Sequence, residues 1–178
     1  SADQLFARMY KEYVRFWNEE RLAKAKALGL TPVEVATLAS IVASETNKSA
    51  EYPLIASLYL NRLNKGIALQ ACPTVIFAVG DFKMRRVLKR HLAIDSPYNT
   101  YKHVGLPPAP INVPPKACLE AVLNPEKHDY IFFCASAAFD GTHKFAVSYS
   151  EHQKNAVEFQ TELTRRRKEK TAQQTATK

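Results

Sequence analysis

Several features are missing from this chain, and each absence narrows what it can be. No apolar run approaches the roughly 20 residues that span a bilayer, and no basic-then-apolar leader precedes a cleavage site, so the chain as given reads as soluble. Cysteine is scarce: Cys72, Cys118 and Cys134 are too few and too widely spaced for a disulfide framework, and none has the paired spacing of a zinc site. They read as free thiols, Cys118 and Cys134 inside apolar runs and Cys72, before a proline, as the one that could be exposed. A nucleophilic cysteine served by one of the five histidines has no local signature to support it. There is no internal repeat and no low-complexity linker ahead of the C-terminal tail, so one compact domain is the simplest account. The first residue is Ser1 rather than methionine, as in a processed protein or an excised fragment whose leader or anchor has been left out.

What is present is globular. The 178 residues are 46% hydrophobic and 10% aromatic, enough for a full core. Acids are the minority, 17 against 25 Lys and Arg, which leaves a net charge of +8 and a pI near 9.4. Nucleic acid, a membrane surface or a carboxylate-bearing polymer would all suit that charge, which does not choose among them. The densest basic block, Lys83 to His91 with Arg85, Arg86, Lys89 and Arg90, lacks the interleaved aromatics that single-stranded nucleic acids stack on, and reads as a solvated face.

The hydrophobic periodicity predicts mostly helices. Leu5, Met9, Tyr13, Phe16 and Trp17 recur at helical spacing over 4–30, as one amphipathic helix or as two with a break near Asn18, the aromatic stripe packing into the core. Thr31, Pro32 and Glu34 form a capping box that starts the next helix. There Leu38, Ile41, Val42 and Glu45 fall at i, i+3, i+4 and i+7, so a carboxylate stands where the pattern asks for an apolar side chain. Two readings follow. A partly desolvated Glu45 has a raised pKa and can act as a general acid; a Glu45 that rotates out past the last turn is simply solvated. A further helix runs from about Tyr52 to Lys65 and stops at Gly66, and a short one starts at Cys72-Pro73-Thr74-Val75, where cysteine stands in place of an Asp or Ser cap, and ends at Gly80.

Asp95 to Ile111 is too rich in proline for a helix, yet Tyr98, Tyr101, Leu106 and Ile111 anchor it as an ordered loop. Its Tyr98-Asn99-Thr100-Tyr101 cluster suits sugar recognition, or else satisfies the loop's own backbone. A short helix from Pro115 to Leu123 follows. Tyr130 to Ala135 and His143 to Val147 read as strands of a hairpin turned at Asp140-Gly141, and Ser148 to Glu151 caps a last helix. The expected architecture is therefore an α+β, helix-rich single domain with a small β-hairpin: a helical segment over 1–30, a core domain over 31–165, and a disordered basic tail over 166–178.

The motifs Leu38-Ala-Ser-Ile-Val-Ala-Ser-Glu-Thr46, Asn61-Arg62-Leu63, Leu69-Gln70, Pro73-Thr74-Val75-Ile76, Asp95-Ser-Pro-Tyr-Asn-Thr-Tyr101, Gly105-Leu-Pro-Pro108 and Asn124-Pro125, in that order, resemble the catalytic domain of the YceG-like endolytic murein transglycosylases, the MltG family. The resemblance implies a lysozyme-like active-site cleft and a lytic cut of the β-1,4 bond between N-acetylmuramic acid and N-acetylglucosamine, leaving a 1,6-anhydromuramoyl end. No cofactor or metal is implied. It places the family's catalytic glutamate on Glu45, as acid and then base. With chemistry added, it puts Asn61, Gln70, Thr74, Tyr98, Asn99, Thr100 and Tyr101 against substrate, with Glu51 and His143 as weaker members. Glu51 could also serve only the dipole at a helix N-terminus, and His143 only a structural hydrogen bond. Two positions depart from the family pattern: Ala43, where many members carry a second glutamate, and Cys72, where an aspartate is common. By the same resemblance the partners are peptidoglycan glycan strands and cell-wall synthases rather than nucleic acid. The full-length protein would be membrane-anchored on the outer face of the cytoplasmic membrane. The alternative from another class is a non-catalytic peptidoglycan-binding or scaffold domain.

Overall fold

A computed structural model describes residues 1–84 and 86–176. Arg85 of the basic block and the last two residues of the tail lie outside it. The elements run α1 (Ala2–Phe16), α2 (Glu19–Ala27), α3 (Pro32–Glu45), a 3-10 turn at Ser49–Glu51, α4 (Tyr52–Asn64), α5 (Cys72–Val79), α6 (Lys89–Leu92), α7 (Lys116–Leu123), β1 (Phe132–Ala135), β2 (His143–Ala146) and α8 (Tyr149–Ala176). The result is a helix-rich single domain with one two-stranded antiparallel sheet.

The core is built around α3. Thr31 accepts a hydrogen bond from the Glu34 N–H while the Glu34 carboxylate accepts from Thr31, so the capping box expected from sequence is formed and Pro32 occupies the first turn. Val35, Leu38, Ala39, Ile41 and Val42 are all fully buried. A helix apolar on nearly every side is a core helix, and α4 and α7 pack on it with Ile55, Leu58, Tyr59, Cys118 and Val122. Ser40, also fully buried, donates to Thr37 O and accepts from the Ile111 N–H at 3.0 Å, while Asn112 donates to Ser40 O at 2.9 Å. These bonds tie the proline-rich loop to the central helix, and Leu106 and Ile111 pack there as its anchors.

The break near Asn18 is real. Asn18 caps α2 through the Arg21 N–H, and Arg21 then reaches Glu120 on α7 at 2.8 Å. The stripe on α1 corrects the sequence reading: Phe16 is buried, but Leu5, Phe6, Met9 and Tyr13 are exposed. The C-terminal end of α1 joins the core, because Phe16 and Trp17 sit where the chain turns into α2, and Glu12 adds an ion pair with Lys116 of α7 at 2.8 Å.

The hairpin pairs Phe133 with Phe145 and Ala135 with His143. Its turn is stabilised by Asp140, whose Oδ1 accepts from the Thr142 N–H at 2.9 Å, and by Gly141, whose φ of +82° is costly for other residues. α8 packs on both strands. It continues to Ala176, through most of the stretch expected to be disordered. Good helix formers and the pairs of Arg165 with Glu162 and Glu169, and of Arg166 with Glu162, support a helix there without a core beneath it. Among the described residues no single helix is long and apolar enough to cross a membrane. The one pair that would pass together, α2 with α3, is bent by 78°.

Candidate active site

Glu45 ends α3. It lies one turn beyond the fully buried Ile41 and Val42, on the face that packs into the core, and it emerges into a cavity of about 370 Å³. Burial pushes its carboxyl up to about 7, against two opposing influences: Tyr59 Oη donates to Glu45 Oε1 at 2.6 Å, and His143 attracts the carboxylate electrostatically. The α3 C-terminus, the negative end of the helix dipole, also disfavours a carboxylate there. Tyr59 comes from α4, is almost wholly buried, and its own pKa is raised by burial and by Glu45.

The floor is set by Arg62, one turn along α4 from Tyr59. Its Nε donates to Ala68 O at 3.0 Å, Nη1 to Ile131 O at 2.9 Å and Nη2 to Gln70 Oε1 at 2.9 Å. One guanidinium thus joins α4, the link after it and the strand leading into β1, and its planar fork suits that three-way role. Gln70 is held at φ 54°, left-handed backbone that only Gly adopts freely, by its N–H bond to Thr100 O. On one wall Cys72 Sγ lies 3.2 Å from Tyr101 Oη, and burial raises both pKa values. The opposite wall is the hairpin and the start of α8: Phe132, Phe133, His143, Tyr149 and His152.

Glu51, six residues after Glu45, has the opposite environment. Its Oε2 accepts from Thr46 Oγ1 at 2.8 Å and lies 2.9 Å from His143 Nδ1, and its Oε1 accepts from the His143 N–H at 2.7 Å. Burial works to raise its pKa, but the bonds from His143 and Thr46 outweigh that and hold it below the ordinary carboxylate value.

Of the residues singled out from sequence, the structure brings Glu45, Gln70, Tyr101 and His143 together around one cavity, with Glu51 behind His143. Thr74, Asn99 and Thr100 are fully buried or nearly so. The hydroxyls of Thr74 and Thr100 lie 2.8 Å apart, Thr100 accepts from the Ala71 N–H, and the Asn99 amide donates to Leu92 O and Ile94 O. They shape the loop that carries Tyr101. The α5 cap position is Ala71 rather than Cys72, and Cys72 faces the cavity instead. Tyr98 packs on Phe77, 4.7 Å between ring centres. Asn61 donates to His128 O and Tyr130 O and faces a separate depression beside Pro125 and Asp129.

Tyr59, Cys72, Phe132, Phe133, Tyr149 and His152 belong to the cavity without having been picked as site residues. Tyr59, Phe132 and Phe133 read as ordinary core positions in apolar runs, and Tyr149 as part of the capping stretch Ser148 to Glu151. His152 Nδ1 is buried with no hydrogen-bond partner. Among the described residues no three His, Cys, Asp or Glu side chains gather as a metal-ligand set. A larger, shallower depression of about 790 Å³ runs along α8 beside Ala156, Val157 and Thr161, but it holds no acid paired with a base.

The chain as a whole is similar to known proteins. The model of the YceG-like family matches residues 1–158. The endolytic murein transglycosylase of Bacillus subtilis is 44% identical over 118 residues, 66% of this chain and 32% of that protein, and its counterpart in Streptococcus pneumoniae is 32% identical over 160 residues, 88% and 28%. The chain therefore spans about a third of the length of the curated relatives it matches. A crystal structure of a yceG-like protein from Listeria monocytogenes superposes with a TM-score of 0.77 at 35% identity, covering 86% of this chain and 49% of that one. With the family model spanning nearly the whole described domain, this chain belongs to the YceG-like family.

Proposed function

We propose that the chain is the catalytic module of an endolytic peptidoglycan lytic transglycosylase that cleaves the β-1,4 bond from N-acetylmuramic acid to N-acetylglucosamine. The observation that carries this reading is that Glu45 is the only carboxyl among the described residues lining the cavity and is poised near neutral pH. Hydrolytic glycosidases need two carboxyls about the scissile bond, one to protonate and one to activate water or attack the sugar. Glu51 is committed to Thr46 and His143 and does not line the cavity. One carboxyl suffices when the nucleophile is the sugar's own 6-hydroxyl, already tethered to the reacting ring.

In this mechanism Glu45 gives its proton to the glycosidic oxygen as the bond to the anomeric carbon breaks. The resulting carboxylate accepts the proton of the 6-hydroxyl as that oxygen attacks the same carbon, which closes the 1,6-anhydro ring and returns the enzyme to its starting state. No water is consumed. Tyr59 steadies the carboxylate between the two transfers through its 2.6 Å bond. Gln70 and Tyr101 offer amide and phenol groups to the sugar, and the aromatic wall of Phe132, Phe133 and Tyr149 offers apolar surface. The cavity between α3 and the hairpin serves as a lysozyme-like cleft in that a glutamate at a helix end faces a small sheet. Asn61, Thr74, Tyr98, Asn99 and Thr100 support the substrate by holding the walls. The names of the relatives support peptidoglycan as the substrate; a place outside the cytoplasmic membrane, a membrane anchor in the full-length protein and cell-wall synthases as neighbours are further parts of the proposal.

The test is digestion of purified peptidoglycan with mass spectrometry of the products. Anhydro-ended fragments from the native chain and none from Glu45→Gln are expected. Reducing ends would replace this reading with hydrolysis, and glycan binding without any cut would replace it with a scaffold role.

A further inference from the structure

Glu51 is a buried carboxylate with no part in the proton transfers described above. Burying a carboxylate is costly unless its oxygens are met, and here both are. One partner is Thr46, the neighbour of Glu45; the others are the backbone and ring of His143 on β2, 92 residues along the chain. The bond at Nδ1 to a carboxylate places a proton on that nitrogen. Phe133 meets the same ring nearly edge-on, 5.2 Å between centres, so the imidazole is held from two sides.

The ring lines the cavity together with Glu45. The other titratable groups lining the cavity are Tyr59 from α4, Cys72 from α5 and Tyr101 from the proline-rich loop, with Cys134 from β1 and Tyr149 and His152 from α8 on the opposite wall. Tyr59 donates to the carboxylate, whereas Cys72 and Tyr101 would repel it if ionised. Arg62 lies on the floor and acts on Tyr59 and Tyr101. His143 is the group that attracts the Glu45 carboxylate electrostatically.

We infer that Glu51 and His143 are a positioning pair for Glu45: Glu51 fixes the imidazole, and the imidazole stabilises the Glu45 carboxylate during the interval between its two proton transfers. This deepens the transglycosylase reading and rests on it for the interval in question. Neither residue bonds to the sugar in this role. Thr46 links the two ends, because it follows Glu45 in the chain and donates to Glu51, so these bonds tie the turn after α3 to the hairpin.

The test follows the Glu45 carboxyl directly, by NMR titration of the chain labelled with carbon-13 at glutamate carboxyls, with Glu45→Gln identifying the signal. His143→Gln is expected to raise the Glu45 midpoint by about one pH unit, the ordinary effect of one nearby charge. Glu51→Gln is expected to raise it in the native background and to add nothing on top of His143→Gln, because Glu51 acts through the ring. The basic limb of kcat/KM on glycan strands should move with the midpoint. His143→Phe, which keeps the packing on Phe133 without the nitrogens, repeats the test if the glutamine variant does not fold. An unmoved midpoint in the His143 variants, or an equal shift from Glu51→Gln with and without His143, would overturn the pair. The titration needs no substrate, so a chain that makes no anhydro ends sinks the transglycosylase reading while the effect on Glu45 is still read separately.

Discussion

The end of α3 and the 3-10 turn that follows it hold two glutamates six residues apart whose surroundings drive them in opposite directions. Glu45 faces a cavity with one donor, Tyr59, and burial dominates, so the proton is retained to about 7. Glu51 is also buried but meets three donors, and they prevail over burial. Burial raises the pKa of both, and hydrogen bonds to the charged form outweigh it only at Glu51, so Glu45 can donate a proton where Glu51 stays charged.

This contrast can be broken experimentally, and the largest effect should come from Glu45 itself. Glu45→Gln removes the only carboxyl among the described residues lining the cavity, and release of anhydro-ended products is expected to fall by about 10²–10⁴-fold or more. The same substitution should reveal the cost of the site. The folded carboxyl of Glu45 has its pKa raised from 4.5 to about 7, so between those values the folded state binds more protons than the unfolded, and stability falls as pH rises. Above about pH 7 the penalty reaches roughly 3 kcal/mol, at about 1.36 kcal/mol per pH unit. Glu45→Gln should therefore melt several degrees higher than the native chain at pH 8, and the gap should close toward pH 4.5, as read by thermal denaturation across that range.

Glu51 predicts the reverse. Its folded pKa is depressed, so its contribution is fully present above its unfolded value of 4.5 and is lost as pH falls through the folded value. Glu51→Gln should destabilise the chain at pH 7 by about 1–3 kcal/mol and leave it less sensitive to acid, measured by urea denaturation at pH 7 and pH 3. Tyr59→Phe sharpens the comparison by removing the one donor that Glu45 has. The Glu45 midpoint should rise further in an NMR titration, and stability at pH 5 should change by only about 1 kcal/mol. Least of all should come from the basic surface. Lys89→Ala, at an exposed residue of α6, should stay within about 0.5 kcal/mol of the native chain in the same urea titration.

Much of the fold was legible because its signals are local. The Thr31 and Glu34 box, the Asn18 break, the Gly66 and Gly80 stops and the Asp140-Gly141 turn each depend on a few neighbouring residues, and each is where the pattern puts it. The stripe on α1 misled because periodicity shows that a helix has an apolar face without showing what covers it. Over 166–176 the chain is helical, and composition cannot separate a solvated helix from a disordered segment when both are rich in Arg, Lys and Glu. Around the site, Tyr98-Asn99-Thr100-Tyr101 is one polar run in sequence, yet only Tyr101 reaches the cavity while Asn99 and Thr100 turn into the body.

By itself the sequence determined the helix starts and stops, the position of Glu45 on an otherwise apolar face, and the family to which the motifs belong, since each of these is written in short-range spacing. Tertiary structure alone decided how Glu45 is charged. That depends on the depth of the cavity, on Tyr59 arriving from α4, and on His143 arriving from β2 with Glu51 behind it, and these are contacts between residues up to 92 positions apart. Desolvation and hydrogen bonding act through space, and only the folded chain brings those groups to the end of α3.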